Sequence, residues 1–127
     1  MKRIKYFTPQ EANKTLPLVK RIVKDILLTG NQLRNFHEAN PQISIIPQKI
    51  ESLEKNLEAL FKELESIGCY YKDWNYEIGL IDFPAIIDDQ EVWLCWKSDE
   101  EVLQYYHSVE EGFAGRKIIP ERLLVSS

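Results

Sequence analysis

The strongest constraint on the fold is an uninterrupted 4-3 spacing of apolar residues in the middle of the chain. The positions are Ile46, Ile50, Leu53, Leu57, Leu60, Leu64 and Ile67. A stripe of this period covers one face of an α-helix, and that face must be buried against another element. Pro47 suits the first turn of such a helix, and Gly68 stands where a left-handed C-terminal cap belongs. The sequence therefore predicts a helix that ends at Gly68.

The segment before it predicts a first helix that pairs with the second. Thr8-Pro9-Gln10-Glu11 has the form of a capping box, and apolar residues at 3-4 spacing follow it. Pro17 lacks an N–H, and its ring clashes with the carbonyl four residues earlier. We therefore expect a short helix over residues 9–15, a break or kink, and a long helix to about Glu38, ended by Asn40-Pro41. The two helices are expected to pack as an antiparallel, coiled-coil-like hairpin.

Composition changes sharply near Gly68. Residues 1–67 carry a net charge of +3, whereas residues 68–127 carry a net charge of −7 and hold ten of the fourteen aromatic residues. Neither segment is long enough to form a good core alone. We therefore expect a single domain over residues 1–127, with the helical hairpin at 8–67 and the sheet and C-terminal loop in the rest.

Charge and hydropathy argue against two classes of partner. The basic excess is confined to residues 1–38, where no aromatic residues interleave the lysines of the long helix, so we expect no nucleic-acid partner. No apolar run approaches the ~18 residues of a membrane span, and the first residues lack the apolar stretch of a signal peptide. We therefore expect no membrane partner and a cytoplasmic location.

The aromatic segment predicts antiparallel strands. Residues 79–87 and 91–97 flank the polar turn Asp88-Asp89-Gln90 and form a hairpin. A third strand is expected over residues 101–106, with a helix as the alternative there, and residues 69–72 are a candidate fourth strand. The expected fold class is α+β, a long antiparallel helical hairpin packed on a three- to four-stranded antiparallel sheet.

A candidate polar cluster lies in the acidic segment and comprises Asp82, Cys95, Glu101, His107 and Arg116. Thiol, imidazole and carboxylate groups are the ligands that Zn²⁺ or Fe²⁺ takes in proteins, so a divalent metal is a candidate cofactor. Cys95 has no base placed beside it by spacing and is typical of a small buried hydrophobic residue. His107 is either a structural hydrogen-bonding residue or part of a site.

Strand register decides whether these residues meet. If the first turn has two residues, Asp82 lies directly opposite Cys95, and if it has three, the two fall on opposite faces. A three-residue turn after the second strand leaves His107 four positions from the partner of Cys95, about 13 Å away. A four-residue turn places His107 on the other face. The sequence therefore predicts that Cys95 and His107 share a metal only where a bulge or loop brings them together.

Two further arrangements involve Arg116. Asp82 lies between apolar neighbours and needs a partner, and Arg116 is one candidate, either in a structural salt bridge or as an anion clamp. The loop over residues 110–117, which includes Arg116, contains two glycines, an aromatic residue and two adjacent cations. Its candidate anion- or ligand-binding residues are Gly112, Gly115, Arg116 and Lys117. The alternative for this loop is a tight connection into the C-terminal tail.

Three stretches carry a family resemblance, namely YFTPQEANKTLPLV, LESIGCYYKDWNYEIGLIDFPA, and EVWLCW followed by YYHSVEEGFAGRKII. Together they resemble a prokaryotic family known as domain of unknown function 2203, over nearly the whole chain. The resemblance implies a small, stand-alone cytoplasmic protein without an assigned activity. The matching positions are Phe7, Glu11, Ala12, Asn13, Pro17, Gly79, Asp82, Phe83, Pro84, Cys95, Trp96, His107, Gly112, Gly115 and Arg116. A departure at Ser98–Glu101, where the family has a Gly-Glu type of turn, leaves open whether Glu100 or Glu101 matches the family's acidic residue.

Two classes of function follow from these features. Several apolar residues of the first helix lie off its main stripe, namely Ile22, Leu27, Leu28 and Phe36. Such a helix must be covered by the sheet or by a second copy of the chain. We therefore expect first a homodimeric, non-enzymatic binding or assembly module that assembles through the helical hairpin. The alternative is a small-molecule-binding or metal-dependent enzyme with a site at Asp82, His107 and Arg116.

Overall fold

The computed structural model describes residues 4–39, 47–73 and 75–124. Its two long helices, α1 and α2, are Pro9–Ala39 and Pro47–Ile67. Within the described residues, the strands β1 to β5 are Tyr70–Tyr71, Leu80–Ile87, Gln90–Lys97, Tyr105–Ser108 and Lys117–Ile118. A 3₁₀ turn at Phe113–Gly115 precedes β5, and a short helix, α3, follows it at Glu121–Leu124. The helices pack on one antiparallel sheet, so the predicted α+β class is confirmed, with five strands in place of three or four.

Local sequence signals set the start of α1 and the end of α2 as predicted. The Thr8 hydroxyl accepts a hydrogen bond from the Glu11 backbone N–H at 3.1 Å, and the Glu11 carboxylate accepts one from the Thr8 backbone N–H at 3.1 Å. Gly68 follows α2 with a φ of +111°, and its N–H donates to the carbonyl of Leu64. Neither these helices nor α3 is long and apolar enough to cross a membrane.

The prediction of two separate helices on either side of Pro17 is wrong, because α1 runs without a break over 31 residues. Pro17 lies on the exposed side of α1, and its missing N–H removes one hydrogen bond from the helix. Leu16 and Val19, on either side of it, are 2% and 0% exposed. This packing outweighs the local cost of the proline. The predicted helix end at Asn40-Pro41 lies outside the described residues, and so does Ile46, the first position of the apolar stripe of the second helix.

The sheet has the order β1-β2-β3-β4-β5, and each neighbouring pair is antiparallel. Its inner face packs on α1 and α2 through buried side chains that include Phe83, Leu94 and Trp96. The turn between β2 and β3 consists of Asp88 and Asp89, both with positive φ, which is typical of a two-residue hairpin turn. Of the two registers that the sequence left open, the protein adopts the one with the two-residue turn.

The strand expected at residues 101–106 begins later, because β4 starts at Tyr105. The connection that leads to it is held by α1, where Asn13 Nδ2 donates to the carbonyl of Leu103 and the N–H of Leu103 donates to Asn13 Oδ1. The side-chain amide thus takes the place of a strand partner, and sheet pairing starts only after this contact. Lys117–Ile118 then pairs with β4 as a fifth strand that the sequence pattern did not reveal.

The chain itself covers most of the apolar surface of α1. Ile22 is 4% exposed, Leu27 packs against the core and Phe36 is half-buried. Within the described residues of α1, the large apolar side chains that stay exposed are Leu18 and Leu28, at 45% and 59%. The reason for expecting a second copy on this helix is thereby reduced, and the homodimer stays a prediction.

Candidate metal centre

Asp82, Cys95 and His107 meet on the outer face of the sheet, away from the long helices. Asp82 pairs directly with Cys95 across β2 and β3, as the two-residue turn requires. His107 pairs with Trp93 across β3 and β4, because Cys95 pairs with Tyr105. His107 therefore lies on the same face and two positions, not four, from the partner of Cys95. The connection between β3 and β4 is longer than the three- or four-residue turn expected from the sequence. It is the loop that the sequence required if Cys95 and His107 were to share a metal.

The three side chains point at one another. His107 Nε2 lies 3.2 Å from both carboxylate oxygens of Asp82. The other ring nitrogen, Nδ1, lies 2.9 Å from the carbonyl oxygen of Ser108. Because a carbonyl oxygen only accepts, Nδ1 carries a proton, and Nε2 is the nitrogen that faces the carboxylate. One ligand atom from each of Asp82, Cys95 and His107 lies within 4.8 Å of the other two.

Burial dominates the electrostatics of this cluster. Asp82, Cys95 and His107 are 5%, 2% and 5% exposed. Burial raises the pKa of the Asp82 carboxyl above its ordinary value, and His107 opposes part of that rise. Burial also raises the pKa of the Cys95 thiol to about 12, with the Asp82 charge adding to the rise and the Arg116 charge opposing it. Without a metal the thiol is neutral near pH 7 and is not an activated nucleophile.

Arg116 contacts the backbone of Cys95 and does not pair with Asp82. Its Nη2 donates to the carbonyl oxygen of Cys95 at 3.2 Å and to the two carboxylate oxygens of Glu100 at 2.7 and 2.8 Å. The Arg116 and Glu100 side chains are 12% and 16% exposed, so this is a largely buried ion pair. The predicted pairing of Asp82 with Arg116 is therefore corrected, since Asp82 pairs with His107 and Arg116 pairs with Glu100.

Glu101 is not brought into the cluster. It is exposed, and its backbone carbonyl accepts a hydrogen bond from Lys20 Nζ. Glu100, which the sequence left as the alternative, is the acidic residue that binds Arg116. Besides binding Arg116, its carboxylate accepts a hydrogen bond from the backbone N–H of Lys97 at 2.8 Å. The Glu100 side chain thus ties the end of β3 to the residue that contacts Cys95.

The glycine-containing loop forms a tight connection into the C-terminal tail, which the sequence analysis gave as the alternative to an anion-binding loop. Residues Phe113–Gly115 form the 3₁₀ turn, Gly115 lies against the Glu111 side chain, and Lys117 is exposed in β5. Because the Arg116 guanidinium is bound to Glu100, the loop does not present it as a free anion clamp. Gly112, however, lines the cleft described next.

A cleft of about 380 Å³ opens over the cluster. Its lining includes Asp82, Cys95 and His107, which are nearly fully buried and so form its floor. The walls include Lys72, Leu80, Trp93, Val109, Glu110, Glu111, Gly112 and Phe113. This volume is in the range of small-molecule sites. Sequence reasoning did not single out Lys72 or Trp93, although Trp93 stands two residues from Cys95 and therefore on the same face.

Comparison with known families gives a match over nearly the whole chain. A family model described as an uncharacterized conserved protein, DUF2203, matches residues 5–119. The chain belongs to the DUF2203 family. The resemblance inferred from the sequence motifs is thereby confirmed, and the matched range includes the three residues of the cluster. Comparison with curated proteins and with solved structures gives no match. The function of this DUF2203 protein therefore has to follow from its own site.

Proposed function

We propose that this DUF2203 protein binds one Zn²⁺ ion through Asp82, Cys95 and His107 and presents it to a small molecule in the cleft. The supporting observation is the convergence of the three ligand atoms within 4.8 Å at the cleft floor. Ligand atoms that share one tetrahedral Zn²⁺ lie about 3.5 Å apart, because zinc–ligand bonds are about 2.0–2.3 Å long. Small side-chain rotations close the remaining distance.

The chemistry of the three residues favours zinc. A thiolate is a poor ligand for Mg²⁺ or Ca²⁺, whereas Zn²⁺ takes sulfur, nitrogen and oxygen together. His107 donates its Nδ1–H to the carbonyl of Ser108 and keeps Nε2 for the ion, as zinc-bound histidines usually do. Two positive charges on the ion balance one thiolate and one carboxylate, so burial no longer opposes the ionisation of Cys95 and Asp82.

The number of ligands favours an open site. Structural zinc sites take four protein ligands, whereas catalytic sites keep one position for water or substrate. In the part of the chain that the structure describes, the ligand group contains Asp82, Cys95 and His107 and no fourth member. A small molecule would bind at the open position both in a non-enzymatic binding module and in a metal-dependent enzyme. The ion would supply an activated water to the second of these.

Assembly as a homodimer through the helical hairpin is a separate proposal. It is supported by the exposure of Leu18 and Leu28 on α1, at 45% and 59%. Light scattering coupled to size-exclusion chromatography is expected to give twice the chain mass. A Leu28→Glu variant is expected to give the mass of one chain, and a monomeric parent protein contradicts the proposal.

Two buried cysteines provide a matched test of the zinc site. Cys69 and Cys95 are both free and buried, but Cys69 belongs to the core. Metal-free protein is titrated with Co²⁺, whose charge-transfer absorption reports a thiolate ligand, and with Zn²⁺ in competition with a chelator. We expect one ion per chain. Cys95→Ala is expected to lose the thiolate absorption and to weaken Zn²⁺ binding more than about 100-fold, with Cys69→Ala unchanged. Absence of stoichiometric binding, or equal losses in both variants, contradicts the proposal.

A further inference from the structure

A second hollow adjoins the cleft on the outer face of the sheet. It has a volume of about 330 Å³ and shares Lys72, Trp93 and Val109 with the cleft. Its other walls include Tyr6 and Glu91. We call this hollow the side groove. Because three residues line both hollows, a molecule held at the metal position reaches the side groove by crossing Trp93.

Four exposed apolar side chains surround these two hollows. Ile4, Tyr6 and Val109 line the side groove and are 59%, 37% and 56% exposed. Phe113 lines the cleft and is 43% exposed. Apolar residues that are exposed singly need no explanation, but a group of them around a concave polar site marks a binding surface. The surroundings of the metal position are therefore suited to a ligand with an apolar body.

Lys72 gives the shared wall a positive charge. Its Nζ lies 5.0 Å from the ring centroid of Trp93 and 6.0 Å from that of Tyr70. Zn²⁺, one thiolate and one carboxylate together carry no net charge, and the open position of the ion can take a carboxylate oxygen as its fourth ligand. Lys72 lies on the cleft wall beside the three zinc ligands.

The cleft wall also carries two acidic residues, Glu110 and Glu111. Glu111 accepts a hydrogen bond from the Ser108 hydroxyl at 3.1 Å, which fixes its carboxylate beside the loop. Glu110, Glu111 and Lys72 are all exposed, so water screens the three charges and the preference for an anionic head group comes from the zinc ion. A cationic ligand with the same alkyl chain is therefore a necessary control.

We infer that the cleft and side groove together bind a medium-chain monocarboxylate, an inference that rests on the proposed zinc site. The carboxylate binds the zinc ion beside Lys72, and the alkyl chain crosses Trp93 into the side groove. Cys95, Trp93 and Glu91 follow one another along the outer face of β3, which places Glu91 ~13 Å from Cys95. The Tyr6 hydroxyl donates to Glu91 at 2.5 Å. This polar pair bounds the apolar path, so the chain is of medium and not great length.

Isothermal titration of the zinc-loaded protein tests the head group and the chain separately. The probes are octanoate, acetate, octanol and octylamine. Octanoate is expected to bind at least about tenfold more tightly than each of the others, because each of them lacks the chain or the anionic head. Equal binding of acetate overturns the role of the side groove. Equal binding of octanol or octylamine overturns the role of the zinc ion.

A matched pair of variants locates the alkyl chain. Val109 and Val102 are 56% and 50% exposed, but only Val109 lines the side groove and the cleft. Val109→Asp is expected to weaken octanoate binding at least about tenfold, with Val102→Asp unchanged. Similar losses in both variants, or none in Val109→Asp, overturn the inference. Stoichiometric zinc without octanoate binding overturns this inference alone, whereas failure to load zinc overturns the proposed function as well.

Discussion

Removal of His107 tests whether the buried cluster is an electrostatic unit in the metal-free protein. The side chains of His107 and Asp82 are each 7% exposed, and Nε2 lies 3.2 Å from both carboxylate oxygens. Alanine at position 107 leaves the carboxylate buried without its partner, and breaking a buried pair in this way costs about 3–5 kcal/mol. In a domain of this length 1 kcal/mol corresponds to roughly 4 °C in Tm. We therefore expect His107→Ala to lower Tm by roughly 12–20 °C.

Asp82→Ala is expected to cost less than His107→Ala. The remaining imidazole keeps the hydrogen bond from Nδ1 to the carbonyl of Ser108, so the expected loss is about 1–3 kcal/mol. The double variant contains no unpaired buried charge. Its free energy of unfolding is expected to be close to that of Asp82→Ala alone, because the second substitution removes the unpaired charge, which gives a coupling energy of about 3–5 kcal/mol.

Urea unfolding near pH 7, with a chelator present, measures the four proteins of this cycle. The exposed pair formed by Arg122 and Asp88, with side chains 60% and 69% exposed and 2.9 Å apart, provides a control cycle. Its expected coupling energy is below about 0.5 kcal/mol. If the effects at Asp82 and His107 add within about 0.5 kcal/mol, or if the control pair couples as strongly, the electrostatic reasoning is refuted.

Two other predictions concern the ion pair behind Cys95 and the second buried cysteine, Cys69. Glu100→Gln is expected to weaken Zn²⁺ binding about tenfold in chelator competition, because it loosens Arg116 behind Cys95. Glu101→Gln is expected to have no effect, and equal losses would contradict this. Burial raises the pKa of Cys69 from 9.0 to about 12, so above pH 9 the unfolded chain ionises first and stability falls by about 1.4 kcal/mol per pH unit. Urea unfolding of reduced, metal-free protein is expected to show this extra slope in the parent and not in Cys69→Ala, and parallel curves would refute it.

Features that depend on a few neighbouring residues can be predicted from this sequence. The capping box at Thr8 and the left-handed cap at Gly68 are examples, because each is decided by contacts within four residues along the chain. Pro17 shows where such rules fail. Its local cost is real, but the packing of Leu16 and Val19 in the core decides whether the helix continues. A local pattern does not contain that information.

The composition of the site can be predicted more fully than its geometry. The two-residue turn accounts for Asp82 opposite Cys95, since a turn length fixes the register of its own hairpin. The position of His107 depends on the connection between β3 and β4. That connection is held by Asn13, which bonds to Leu103 across 90 positions of sequence. No spacing rule within the aromatic segment reveals a contact with the first helix.

The contact with Asn13 has a consequence for the metal centre because side chains alternate along a strand. A register shift of two residues keeps His107 on the outer face, whereas a shift of one turns it toward the helices. Leu103 is 0% exposed and bonds through both its N–H and its carbonyl to Asn13, so α1 fixes where β4 can begin. Among the described residues of α1, none lines the cleft. The helical layer nevertheless helps to place the third ligand, because Asn13 and Lys20 of α1 both bond to the connection that leads to β4.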